Sequence, residues 1–174
     1  VRRAVQLVGL DGVRRAASAL RAWPGPLDER GAQGLQAGMR QAFVAGQLAA
    51  ILAPGGLDEE GSLITAQLQH LGRLLALYHF PDEASQIAQL MKASPPAEPG
   101  GAPVPGLPEA GAAMAVLGVD LESLAAAVAR HWGLDETVQV MMRPLPLDQP
   151  VRAPESVDGW MRLVASCANE VLQV

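Results

Sequence analysis

A chain of 174 residues is long enough for one domain with a genuine core. Its net charge of −5 and pI near 5.1 argue against bulk nucleic-acid binding. Hydrophobic residues make up 49% but aromatics only 3%, so Leu, Ala, Val and Met must build the core, a mixture that favours helices.

The single cysteine, Cys167, excludes an internal disulfide and fits a reducing compartment, so the expected location is cytoplasmic. No apolar run approaches the ~18 residues of a membrane span. Val1-Arg2-Arg3 shows neither an initiator Met nor a signal pattern, and the expectation is a piece of a longer protein.

Val1 to Leu7 reads as the end of a helix, closed by Gly9. Asp11 is suited to cap a helix over 12–22, with Val13, Ala16, Ala17 and Leu20 inward. Trp23-Pro24-Gly25-Pro26 ends it. Paired arginines on two short helices are raw material for a helix-turn-helix DNA reader. The acidic whole favours a solvated or partner-facing role for them instead.

A third helix is predicted over 35–53, with Met39, Phe43, Gly46 and Ala50 along one side and Ala42, Ala49 and Ala53 beside them. Pro54-Gly55-Gly56 turns the chain into its most apolar stretch, Leu63 to Phe80. There Ile64, Leu68, Leu71, Leu75 and Tyr78 form one stripe, and Leu63, Gln67, His70, Leu74 and Leu77 widen it. Asp58 supplies a cap and Pro81 a break, so 63–80 is expected to be one central helix. Pro81 to Ala93 comes next as another, with Pro81 in its first turn.

Ser94 to Pro108 holds six prolines and three glycines in fifteen residues, a mobile loop rather than a domain boundary. The remainder of the chain beyond this loop is too small for a core of its own. Ala110 to Leu117 is predicted helical. Asp120 then caps a helix buried through Leu121, Leu124, Ala125, Val128 and Trp132 and ended by Gly133. Pro144, Pro146, Pro150 and Pro154 hold an irregular crossing. The last helix, 157–174, has Trp160, Leu163, Val164, Cys167 and Val171 as its apolar side.

Three segments carry a resemblance. Residues 4–27 combine a helix end, an apolar-Gly-apolar-Asp turn and an arginine-bearing helix; 116–138 combine an apolar-Gly-x-Asp turn with a helix ending in Trp-Gly-Leu. Between them, Gln69-His70-Leu71-Gly72-Arg73 is similar to the metal-binding helix of the HD superfamily, with Gln69 and His70 in place of its His-Asp pair. Together these resemble HDOD domains, the HD-related output domains of bacterial signalling proteins. The resemblance implies a single all-α domain over residues 1–174, of about eight helices, with the Pro/Gly-rich loop at 94–108 internal to it.

HDOD domains commonly lack the metal ligands of their HD relatives. The family's first ligand His lies on the preceding helix; here no His precedes His70, and Gln41 stands near the expected place. Two amides and one imidazole cannot supply the charge or ligand number of a hydrolytic metal site. The resemblance therefore implies no cofactor and no catalysis, but a protein-binding output domain attached to a signalling partner, most like those behind serine/threonine kinase domains. Two alternatives remain at this point. Gln41, Gln69 and His70 could form a polar pocket for a nucleotide or cyclic dinucleotide, or a residual metal-dependent phosphohydrolase could survive. His79 and His131 read as helix-end residues, Cys167 as a packed thiol, and Arg73 as dispensable.

Overall fold

The computed structural model describes residues 28–95, 102–146 and 149–172. The two helices expected before residue 23 lie outside them. Within the described residues the fold is all-helical: α1 (Glu29–Leu52), α2 (Glu59–Leu68), α3 (Leu71–His79), α4 (Pro81–Leu90), α5 (Glu109–Leu117), α6 (Leu121–His131), α7 (Glu136–Met141) and α8 (Val157–Val171). One isolated antiparallel bridge, Ser94 with Val104, joins the two sides of the Pro/Gly-rich segment.

Local chemistry sets the helix starts. Asp28 Oδ1 accepts from the Gly31 N–H at 2.7 Å, which starts α1 six residues before the predicted Leu35. Asp120, Asp135 and Ser156 do the same for α6, α7 and α8. Asp58 occupies the N-cap of α2 as expected, although its side chain makes no capping bond. Gly118 and Gly133, at φ 71° and 73°, take the left-handed conformation that ends α5 and follows α6.

The predicted central helix over 63–80 is broken in two. Gln69 closes α2, and His70, at φ −87° and ψ −4°, opens α3. The His70 N–H bonds the Gln67 carbonyl three residues back, tightening the last turn, and the ladder resumes from the His70 carbonyl to Leu74. Apolar periodicity does not register such a break because the stripe continues across it. The cause is tertiary: both side chains at the joint are engaged by α8.

α1 packs on α2, α3 and α8; α3 packs on α4 and α6; α4 packs on α5. Twelve of the seventeen buried apolar residues described are alanines, so the helices approach closely and each contact buries little more than a methyl group, worth about 0.8 kcal/mol. One cluster joins Ala45, Ala49, Ala66, Val164, Ala165 and Ala168 between α1, α2 and α8. A second joins Ala76, Ile87, Ala112, Ala113 and Leu121.

This small-residue packing sets which side of each helix is buried and corrects the inward reading of Trp132. Gly38, Ala42, Ala45, Gly46 and Ala49 form the buried side of α1, while Met39 and Phe43 are more than half exposed. α6 buries Leu121, Ala125, Ala126 and Ala129 and leaves Trp132 58% exposed. α8 buries Met161, Val164, Ala165 and Ala168, with Trp160 and Val171 outside. A wheel centres each helix on its largest side chains, whereas close approach selects its smallest.

The segment expected as a mobile loop is tied at both described flanks. Ser94 and Val104 exchange backbone bonds of 2.9 and 3.1 Å, and the Leu107 N–H bonds the Leu90 carbonyl at 2.9 Å.

At Gly72 the backbone of α3 lies against the Leu121 carbonyl so closely that a Cβ there would overlap it. Gly55, in the turn after α1, has open space around it. Gly72→Ala is expected to lower stability in urea unfolding by about 1–3 kcal/mol, the usual range for overpacking. Gly55→Ala should stay within about 0.5 kcal/mol of the parent. Equal effects would mean that α3 and α6 do not meet at this point.

Candidate functional site

Gln69 and His70, at the joint between α2 and α3, meet two polar residues of α8. The apolar arc of α8 is interrupted at Ser166 and Asn169, three residues apart and therefore on one side of the helix. Both are buried, as is His70 at 7% exposure. His70 Nε2 lies 2.6 Å from Asn169 Oδ1. Asn169 Nδ2 donates to Gln69 Oε1 at 2.8 Å and to the Ala66 carbonyl at 3.3 Å. Gln69 Nε2 donates to the Met141 carbonyl and to Ser166 Oγ, each at 3.2 Å. Ser166 Oγ accepts from the Leu145 N–H at 3.0 Å and donates to the Arg162 carbonyl at 2.8 Å.

Two backbone carbonyls fix the direction of every bond in this network. A carbonyl only accepts, so Ala66 and Met141 assign the amide nitrogens of Asn169 and Gln69. Asn169 Oδ1 must then accept, and His70 Nε2 carries a proton whether the ring is neutral or charged. No buried side-chain polar atom among the described residues lacks a partner.

The network walls one side of a cavity of about 220 Å³. Glu109, Asp120, Glu122 and Glu170 also line it, against one guanidinium, that of Arg73. Arg73 Nη2 pairs with Glu109 Oε1 at 2.7 Å, its Nε also donates to that oxygen, and its Nη1 donates to Gln41 Oε1 at 3.2 Å. Arg73 therefore links α1, α3 and α5. Bonds from the Ser123 N–H, and then from its hydroxyl, hold the Asp120 carboxyl below the usual carboxylate range.

Of the three candidate positions, Gln69 and His70 are brought together. Gln41 does not line the cavity and reaches it only through Arg73. Ser166 and Asn169 were not singled out from the sequence, although two polar residues inside an apolar arc are a legible signal. His79 and His131 close α3 and α6 and are exposed, as expected of helix-end imidazoles.

The donor set does not fit a hydrolytic metal. Among the described residues no group of three or more His, Cys, Asp or Glu could hold an ion. At the HD-like pair itself, the donors around His70 are two amides and a hydroxyl already committed to one another. No single helix among the described residues is long and apolar enough to cross a membrane.

The sequence model of the HDOD domain matches residues 1–144, more than half of the chain. No curated protein and no solved structure matches it.

Burial holds the His70 imidazole below its ordinary value of 6.5, and Arg73 acts in the same direction; the Asn169 bond and Glu109 oppose them. The folded state therefore favours neutral His70, and the unfolded state takes up the proton first as pH falls. The contribution is complete above about pH 6.5 and is lost as pH drops from there through the lowered folded value. The urea midpoint should fall between pH 7.5 and 5.5, and His70→Gln, which keeps a donor without titrating, should flatten that fall. An unchanged slope in the variant would place the proton uptake elsewhere.

Proposed function

Because the chain belongs to the HDOD domain family, we propose that it is a non-catalytic output domain of a signalling protein, acting by binding a protein partner or an attached signalling domain. The observation that carries this reading is the commitment of the HD-like pair. Gln69 and His70 spend their side-chain donors on Asn169, Ser166 and a backbone carbonyl. A hydrolytic metal needs those positions as open, charged donors and one further site for water. A serine/threonine kinase-like domain is the partner class that the family resemblance favours, in a cytoplasmic setting.

The cavity favours a second reading, a sensor of a small ligand. Four carboxylates line it, Glu109 paired with Arg73 and Glu122 with Arg143, and the excess of negative charge opposes phosphates and suits a small neutral or cationic polar molecule. At about 220 Å³ the space is also below the usual range for drug-sized ligands, and a cyclic dinucleotide is larger still.

Two measurements separate these readings from an enzyme. Adding Mn²⁺, Fe²⁺ or Zn²⁺ should leave the melting temperature unchanged, since an ion stabilises only the state that binds it. Phosphodiester and nucleotide substrates should show no turnover with those ions present. A metal-dependent rise removed by His70→Ala, with turnover, would overturn the non-catalytic reading. Sedimentation of the chain with purified receiver and kinase-like domains should show a complex with at least one; a complex with none would count against the output role.

A further inference from the structure

α8 is attached to the rest of the fold by an apolar contact of mostly small side chains and by a polar one. Five of the six residues in its shared cluster are alanines, so little area is buried per residue. The polar contact is the Ser166–Asn169 pair, which bonds the joint between α2 and α3 at three points, the Ala66 carbonyl of α2 at a fourth, and the chain after α7 at the Leu145 N–H. The same two side chains line the cavity, and Glu170 lines it next to them. α8 lies beyond residue 144, where the family match ends. The chain reaching it carries Pro144, Pro146, Pro150 and Pro154, and its described part holds no helix or strand.

We propose that Ser166 and Asn169 form a latch that couples the cavity to the position of the C-terminal helix. With the latch closed, α8 covers the α2–α3 joint and every buried dipole there is satisfied. A group entering the cavity and bonding the Nε2 of His70 or of Gln69 takes those bonds from Asn169 and Ser166. The lost bonds then weaken α8 more than any other helix, because no other described helix is bonded to that joint by its side chains. This rests on the output-domain reading and gives it a moving part: the signal leaves through α8.

Hydrogen exchange on the whole chain, without partner or ligand, tests the latch. In Asn169→Leu, of similar volume but without the amide, amides of 160–171 should lose protection at least tenfold. Those of α4 and α5 should stay near the parent values. Ser166→Ala is the milder variant and should show the same pattern at smaller amplitude, whether or not Asn169→Leu folds. The pair His70→Ala and Asn169→Ala should be no more exposed at α8 together than Asn169→Ala is alone. Loss spread evenly over all helices, or an unchanged α8, would overturn the latch. No partner takes part in this readout, so a released α8 that alters no complex would count against the output function alone. Partner binding with an immobile α8 would count against the latch alone.

Discussion

Everything near the candidate site depends on the buried contact between His70 and Asn169. It joins residues 99 apart in sequence, and it fixes the orientation of the amides and the imidazole around it. In a low-dielectric interior such a network is stabilising only when every member is satisfied; removing one member exposes the desolvation cost of the rest. Here the last members are backbone groups, the carbonyls of Ala66 and Met141 and the N–H of Leu145. Side-chain chemistry at the joint is thereby locked to the backbone of three separate segments.

That lock matters more here because the apolar core is built from small groups. Alanine interfaces bring helices close but offer few distinct shapes, so one alanine arc can slide along another with little change in burial. A directional hydrogen-bond network has one register. Gly72 adds a second constraint, since its backbone contact with Leu121 allows α3 to approach α6 only at one height. The Arg73–Glu109 pair adds a third, weaker one, being partly exposed on both sides and therefore screened. Packing supplies compactness; the polar contacts select the arrangement.

Much of the architecture was legible in the sequence. Helical composition, the cap at Asp120, the N-cap position of Asp58, the helix end at Gly133, and the HDOD resemblance all rest on local chemistry, and each is found. The errors share one cause. Ranking positions by hydrophobicity turns Trp132 inward and gives Met39 and Phe43 more weight than the alanines beside them, whereas all three are more than half exposed. The break at Gln69-His70 is hidden for a related reason: its origin lies on α8, a hundred residues away, and no local window contains both sides. Asn169 alone could have hinted at it, as an amide inside an otherwise apolar face.

The fate of the HD-like pair is set by the same network. A hydrolytic site holds its polar groups unpaired by protein so that a metal can pair them; the protein then tolerates their desolvation only while the ion is bound. In this chain Gln69 and the Nε2 of His70 are bonded to Asn169 and Ser166 of the last helix. Loss of a ligand set usually leaves orphaned polar groups that must be replaced or mutated to apolar residues. Here Gln69 and His70 are partnered from within the chain. The polar centre of the fold is thereby the place where the last helix meets the rest of the domain.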